Sequence, residues 1–366
     1  MKTRVKKIAI VFNNLNIGGI ETKIIDLCRY YSLQKNTKLF LILKSKSGPL
    51  LHQIPSKITI IHPHITDKFK IKTFLFPFWI ASVLRNINPD LIIAFGNYSA
   101  ISTLIGKTLA SNQSKLIISE DSSIIQQLKS DTFSHLRTFL VKIFYRFSDS
   151  IIVLSASGKK NLLQLNSHLK AKITVLNNWL PLTYPKNKKT QNRDIDILFL
   201  GRFEAQKNPL EFLDISKELL VKNPNLNILM VGYGSLKKTI KKYIFNNKLS
   251  SNIHLHPKTT IAFKYFQDSK IFLLTSVHEG FPLTILESTA SGSLPICVNL
   301  PEIREYFDTQ SETILYNKKI EAVKNINYLL NHPPVLKQLS AYYQQKTLNS
   351  QQQNFQKTID HINLYL

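Results

Sequence analysis

Two glutamates with seven residues between them, Glu279 and Glu287, lie in LLTSVHEGFPLTILESTASGSLPI (273–296). An apolar run ends at Thr275, Glu279 follows in a turn, and Pro282 suits the first turn of a helix that carries Glu287. Pro282 and Glu287 are then separated by about 7 Å along the helix axis. Ionised carboxylates accept hydrogen bonds from hydroxyls, which sugars and riboses present in pairs, so the two acids suit different parts of one elongated ligand. The backbone amides of Phe281, Leu283 and Thr284 at the helix start face an anion. Without a ligand, the same residues read as a capping acid and an exposed helix glutamate.

Two other places have related chemistry. In LFLGRFEAQKNPLEFLD (198–214), Gly201 ends a strand, Arg202 and Lys207 follow, and Asn208-Pro209 opens a helix. Cations at a strand end suit a diphosphate, although solvated surface charge reads the same way. In NNLNIGGIETKIIDL (13–27), Gly18 and Gly19 precede a helix bearing Glu21. Paired glycines let backbone N–H groups approach a phosphate, but they also make an ordinary tight turn. Asp194-Ile195-Asp196 imitates a metal-binding pair, yet it precedes its strand and so lies at the wrong end for a site.

The elements that must position these residues are short apolar runs alternating with amphipathic stretches. Strands are predicted at 6–12, 38–43, 58–62, 91–95, 115–119, 150–154 and 173–176, and again at 196–201, 226–232, 252–256, 270–276 and 294–298. They are apolar on both faces, as parallel strands covered by helices must be. The expected organisation is an N-terminal Rossmann-like domain (1–177), a linker (178–194) rich in Asn, Lys and Pro, and a C-terminal Rossmann-like domain (195–350). A last helix (351–366) is expected to follow, its Gln-rich start lying near Gln351.

Length and composition fit this plan. The 366 residues exceed one core, and 43% hydrophobic with 19% charged residues excludes a disordered chain. Cys28 and Cys297 give neither a disulfide framework nor zinc spacing, which fits a reducing, cytoplasmic setting. The start, MKTRVKKIAIVF, reads as a first strand rather than a signal peptide. Phe74–Leu84 is too short an apolar run to span a bilayer and contains Pro77. The net charge is +25, with 25 Lys/Arg against 8 Asp/Glu over 1–177 and 23 against 15 thereafter. That excess favours anionic partners or reflects a Lys-rich composition. Lys68, Lys70 and Lys72 beside Phe74, Phe76, Phe78 and Trp79, and Arg137, Lys142 and Arg146 among further aromatics, suit an anionic surface such as the inner face of the cell membrane, or read as core aromatics beside solvated cations. No nucleic-acid motif is present.

The three places together resemble the retaining glycosyltransferases of family 4, which have the GT-B fold: α/β, with two Rossmann-like doubly wound parallel-sheet domains facing a central cleft. The spacing of Glu279 and Glu287 within S-x-x-E-G-F-P-L-T-x-L-E, Gly201-Arg202 with Lys207-Asn208, and GGIE at 18–21 carry the resemblance. SDSIIVLSASGKKNL and ITVLNNW (148–179) also look like the family's last N-domain strands. It implies metal-independent, anomer-retaining transfer of a hexose or N-acetylhexosamine from a UDP- or GDP-linked donor, with no cofactor. It also implies that the N-terminal domain takes the acceptor, that the C-terminal domain takes the donor, and that the last helix (351–366) crosses back to the first domain. A donor phosphate oxygen would take the acceptor proton. The acceptor implied is a glycan or a lipid-linked glycan of surface polysaccharide, capsule or lipopolysaccharide. Glu279 would contact the hexose, Glu287 the ribose, and Arg202 and Lys207 the diphosphate, with Gly18, Gly19, Gly201, Gly280, Phe281, Leu283 and Thr284 lining the donor. The sequence departs from the family pattern at three places. Asp121, or Glu120, stands where a His is usual near the sugar, Pro257 replaces a Gly, and Asn299-Leu300-Pro301 replaces a glycine pair before Glu305. The other readings are a catalytically inactive homologue acting as a basic membrane-bound protein, and a sugar-nucleotide epimerase of the same fold.

Overall fold

A computed structural model of the chain describes residues 4–63, 69–121, 134–185, 193–307 and 311–366, without the side chains of 69–73, 134 and 311. It divides into two compact units, 1–181 with 355–366, and 182–354. Lys68 lies outside the described residues, as do the side chains of Lys70 and Lys72.

Unit 1 is built on seven strands: β1 (Lys6–Phe12), β2 (Thr37–Leu43), β3 (Thr59–Ile61), β4 (Leu91–Phe95), β5 (Lys115–Glu120), β6 (Ser150–Val153) and β7 (Ile173–Val175). They form one parallel sheet in the order β3-β2-β1-β4-β5-β6-β7. Its helices are α1 (Gly19–Ser32), α2 (Phe69–Ile87), α3 (Gly96–Leu109), α4 (Ser134–Phe144) and α5 (Ala156–Leu165). Side chains of β1 alternate between two cores. Ile8, Ile10 and Phe12 join Ile24, Leu27 and Tyr31 of α1, while Ala9 and Val11 join Phe76, Ile80 and Leu84 of α2 and Leu104 of α3. Because both faces are covered, the strand is apolar throughout instead of alternating. Each fully buried Ile or Leu stabilises the fold by roughly 1.5–3 kcal/mol.

Unit 2 repeats the plan with β8 (Ile195–Arg202), β9 (Ile228–Tyr233), β10 (Ile253–His256), β11 (Ser269–Leu274), β12 (Leu294–Val298) and β13 (Leu315–Tyr316), parallel and ordered β10-β9-β8-β11-β12-β13. The helices are α6 (Pro209–Lys222), α7 (Lys237–Asn246), α8 (Ala262–Asp268), α9 (Leu283–Ala290), α10 (Pro301–Arg304), α11 (Lys319–Asn331) and α12 (Pro333–Asn363). In each sheet the direction of winding reverses once, between β1 and β4 and between β8 and β11. Ligands of such sheets bind beyond the carboxyl ends of the strands at that reversal.

Three local expectations are corrected. The two-residue β13 was not anticipated, because so short a run has no period. The last helix begins at Pro333, which tolerates the first turn, and Gln351 lies well inside it, since Gln is a fair helix former and nothing breaks the run. The segment after β7 is firmly packed at both ends. Trp179 is buried in unit 1, where its Nε1–H donates to Asp26 (3.0 Å) and its ring meets Phe355 edge-on. Tyr184 and Arg193 are hydrogen-bonded within unit 2.

At the end of β9 the backbone comes so close to β8 that a side chain is excluded. A Cβ on Gly232 would lie 2.0 Å from the carbonyl oxygen of Gly201, and one on Gly234, whose φ is +153°, would lie 2.3 Å from that of Phe203. A Cβ on Gly201 meets only ordinary contacts, the nearest at 3.6 Å. We therefore expect Gly232→Ala to lower unfolding free energy by about 1–3 kcal/mol, since backbone must move, and Gly201→Ala by less than about 1 kcal/mol. Urea melts of the two variants check this; equal losses would refute it.

Candidate functional site

In unit 2 the residues singled out by sequence gather at the reversal between β8 and β11. β8 ends at Arg202, a 3₁₀ turn covers Ala205–Lys207, and Asn208 takes the left-handed conformation (φ 47°, ψ 55°) before Pro209 opens α6. Asn is among the residues that tolerate this region, and it lets the chain reverse into the helix. The turn is sewn to the loop after β11. Thr275 Oγ1 donates to the carbonyl of Lys207 or Asn208, 3.0 Å from each, the Val277 N–H donates to the Gln206 carbonyl (2.8 Å), and Gln206 Nε2 donates to the His278 carbonyl (3.1 Å).

These bonds hold Lys207 against Glu279. Lys207 Nζ donates to Glu279 Oε1, the same oxygen that accepts from Ser276 Oγ (2.6 Å), and both charged side chains are largely buried. Oε2 of Glu279 has no hydrogen-bond partner among the described residues. Lys207 is thus paired with an acid, and its ammonium has further hydrogens to share with an anion. Arg202 is exposed, with the neutral Gln206 side chain as its hydrogen-bond acceptor (2.5 Å) and the Glu204 carboxylate close enough to interact with its charge. His278 beside them is held below its ordinary range, chiefly by burial.

α9 begins without a side-chain cap. Its N-cap is Pro282, and Thr284 Oγ1 is buried with no partner among the described residues. The amides of Leu283 and Thr284 therefore point, with an unsatisfied hydroxyl, out of a helix start carrying partial positive charge. Gly280 and the buried Phe281 lead into it, Phe281 lying against Tyr306 (5.6 Å between ring centres). The C-terminal end of α9 is closed by residues the sequence reading missed. Tyr184 Oη donates to the Glu287 carbonyl (2.7 Å) and lies 2.6 Å from Ser291 Oγ, Gln344 Nε2 donates to the Ala290 carbonyl (2.8 Å), and Arg193 Nη2 donates to that of Ser291 (2.8 Å). Arg193 Nη1 also donates to the carbonyls of Phe266 and Ser269. Nothing in a Tyr or Arg of an apparent linker signals this. Glycines 232 and 234 were missed too, though a G-x-G at a strand end is a usable signal.

In unit 1, Gly18 is extended (φ −178°), and Gly19 opens α1. The Glu21 carboxylate lies directly over Gly18, at the place a Cβ would take, so an anion approaching this turn meets an acid. Lys23, one turn into α1, forms a buried ion pair with Asp121 Oδ1, while Ser119 Oγ donates to Oδ2 (3.0 Å). Glu120 points to the other face of the sheet. There the Tyr145 hydroxyl donates to it, and burial pushes its carboxyl up to about 8. Of the two acids after β5, only Asp121 faces α1. Asp196, part of the apparent metal pair, accepts from Lys270 Nζ and the Asn227 N–H. The thiols of Cys28 and Cys297 are buried and raised by desolvation, Cys28 to about 12.

Residues 17–184 match the model for Glycosyltransferase Family 4, and residues 183–346 match that for Glycosyl transferases group 1. The two matches meet end to end, and with the fold they define a glycosyltransferase of the GT-B class. Within that class the chain joins a Glycosyltransferase Family 4 domain to a Glycosyl transferases group 1 domain. It is 26% identical over 251 residues to an uncharacterized glycosyltransferase of Methanocaldococcus jannaschii, covering 64% of this chain and 60% of that protein. It is 26% identical to the capsular polysaccharide biosynthesis glycosyltransferase CapH of Staphylococcus aureus over 83% of this chain and 85% of CapH. It is 24% identical to N-acetylgalactosamine-N,N'-diacetylbacillosaminyl-diphospho-undecaprenol 4-alpha-N-acetylgalactosaminyltransferase of Campylobacter jejuni, over 80% and 81% of the two chains. Among solved structures, S. aureus TarM in complex with fondaparinux, alpha-GlcNAc-glycerol and UDP superposes with a TM-score of 0.80 at 10% identity, over 98% of this chain and 100% of that one. Anabaena HepE in complex with UDP and glucose gives 0.80 at 14% identity, over 98% and 99%.

Glu287 has no hydrogen bond to its carboxylate among the described residues, and burial pushes it from 4.5 up to about 7. A carboxyl whose pKa is higher folded than unfolded binds its proton more tightly in the native state. Its contribution is complete below pH 4.5 and is lost as pH rises through about 7. Ligand-free protein should therefore lose stability from pH 4.5 to 8. Glu287→Gln should exceed wild type by up to about 3 kcal/mol at pH 8 and match it near pH 4.5. Chemical denaturation at the two pH values checks this, and a pH-independent difference would contradict it.

Proposed function

We propose that the protein transfers a hexose or N-acetylhexosamine from a nucleotide diphosphate sugar, UDP- or GDP-linked, to a lipid-linked or free glycan acceptor in surface polysaccharide assembly. The observation that carries this reading is the uncapped start of α9 beside the Lys207–Glu279 pair and exposed Arg202. An anion seat, an exposed cation and a carboxylate oxygen with no partner among the described residues lie on adjoining loops. That combination suits a diphosphate joined to a hydroxyl-rich ring. Arg202 and the amides of Leu283 and Thr284 would hold the diphosphate, with Lys207 reaching it from its pair. Glu279 would accept from the hexose hydroxyls and Glu287 from the ribose. Gly201 and Gly280 would let backbone come close to the donor.

The acceptor class rests on relatives. CapH is named for capsular polysaccharide biosynthesis, and the C. jejuni relative for a glycan on diphospho-undecaprenol. The nucleotide reading is supported by neighbours solved with UDP. Asp121 enters through its pair with Lys23, holding that lysine neutralised after β5. Gly18 and Gly19 stay in the reading as the opening of α1.

The mechanism proposed is metal-independent and retains anomeric configuration, with a donor phosphate oxygen taking the acceptor proton. Diphosphate charge would be met by Arg202, Lys207 and the helix start. Isothermal calorimetry with EDTA present should show UDP or GDP binding. Arg202→Ala should weaken it by about 1.5–3 kcal/mol, the range for a charge-assisted hydrogen bond. Lys207→Ala should do the same, with a fall in stability because Glu279 is left buried and unpaired. Wild-type affinity in both variants would remove the site assignment.

Chemistry is tested separately. Glu279→Gln should reduce turnover far more than nucleotide affinity, and NMR of the new linkage should show the donor's anomeric configuration. An inverted product would overturn the mechanism while leaving the donor site intact.

A further inference from the structure

We propose that the α2–α3–α4 layer of unit 1 is a docking face for a bilayer containing anionic phospholipid. The inference goes beyond the transferase reading and stands on side chains outside the donor site. A helix packed on a sheet normally turns apolar residues inward and charged or polar ones to water. α2 does the first and not the second. Phe76, Ile80 and Leu84 are buried, but the outward stripe at helical spacing is Phe74 (75% exposed), Phe78 (54%), Ser82 and Arg85. Phe74 and Phe78 lie side by side, 6.3 Å between ring centres.

α4 repeats the pattern. Val141 is buried, as is Tyr145 in the 3₁₀ turn that follows α4. The outward residues are Leu136, Phe139 (58% exposed), Lys142, Arg146 and, in the same 3₁₀ turn, Phe147 (55%). The Arg146 guanidinium sits over the Phe147 ring at 4.7 Å. α3 packs against both α2 and α4, so the two stripes belong to one layer on one face of the sheet.

Charge decides the partner. Over α2, α3, α4 and the following 3₁₀ turn (69–87, 96–109 and 134–147) there are seven Lys/Arg and no Asp or Glu. Exposed aromatics set among cations with no anions suit the interface of an anionic bilayer, where rings enter the headgroup boundary and cations meet phosphate. No described helix is long and apolar enough to cross a membrane, so attachment here is to the surface.

The test is flotation of the full chain with phosphatidylglycerol–phosphatidylethanolamine vesicles and, separately, with phosphatidylcholine vesicles. Binding is expected to phosphatidylglycerol at low salt, weakening at high salt, with little to phosphatidylcholine. The triple variant Phe74→Ser, Phe78→Ser, Phe139→Ser should lose binding at least tenfold, and Lys142→Glu with Arg146→Glu should shift it to higher phosphatidylglycerol content. Val221→Ser with Phe245→Ser removes apolar side chains that are equally exposed (82% and 78%) in unit 2 and should bind vesicles like wild type. Unchanged melting temperatures and nucleotide calorimetry confirm that each variant is folded and separate this result from the donor reading. No binding of wild type to phosphatidylglycerol vesicles at low salt overturns the proposal. So does equal loss in the unit 2 control, or a concentration-dependent dimer that the triple variant dissolves without any vesicle binding.

Discussion

The contact between the loops after β8 and β11 is the constraint on which the unit 2 site depends. Lys207 and Glu279 meet there with little water around either charge. Taking both charges out of water costs several kcal/mol per ion, and their attraction offsets this only if the geometry is held and the remaining lone pairs are satisfied. The backbone and side-chain bonds of Thr275, Val277 and Gln206 supply that hold, and Ser276 shares the oxygen that Lys207 uses. Because the pair is neutral as a unit, the positive field at the strand ends comes from Arg202 and from α9, not from Lys207. A cation and an acid that sequence reading assigned to phosphate and sugar separately are thus one device, fixing where the other contacts can lie.

α9 is asymmetric in a way that follows from the same need. Its first amides and the Thr284 hydroxyl have no partner among the described residues, whereas its last carbonyls are taken by Tyr184, Gln344 and Arg193. Helix ends carry orphan donors at one terminus and orphan acceptors at the other, and both normally find partners. Closing the acceptor end fixes the helix, so the open donor end is held without a cap of its own. A capping Ser or Asp at 282 would satisfy the local amides and fill the place an anion needs.

The fold was legible where burial dictates composition. Strands covered on both faces must be apolar along their length, and β1, β4 and β12 stand where their apolar runs do. β13 was not legible, because two residues carry no pattern. The local placement of Glu279 and Glu287 was legible, since a glutamate in a turn and another in the next helix have a fixed spacing. Their partners were not. Lys207 and Glu279 lie 72 residues apart and Lys23 and Asp121 lie 98 apart, so only the sheet order brings them together. The glycine pair at 18–19 drew attention for a backbone freedom that Gly18 does not use, while Gly232, which steric contact does require, was passed over although Gly234 and a helix start follow it.

The two units solve the same problem with opposite consequences. Each sheet reverses its winding beside its first strand, and each places a lysine from the segment after that strand against an acid beyond a later strand: Lys23 on Asp121, and Lys207 on Glu279. In unit 1 the acid is spent. One oxygen of Asp121 is on Lys23 and the other accepts from Ser119, while Glu120 is turned to the opposite face against Tyr145. A carboxylate with both oxygens engaged and its charge neutralised has little left to offer a ligand without first breaking a buried pair. In unit 2 one oxygen carries both partners and the other carries none, so Glu279 can accept a hydroxyl while keeping its lysine. The difference is one serine: Ser276 donates to the oxygen that Lys207 already holds, whereas Ser119 takes the oxygen that Lys23 leaves. Glu279 thus keeps an acceptor oxygen with no partner among the described residues, whereas both oxygens of Asp121 are engaged.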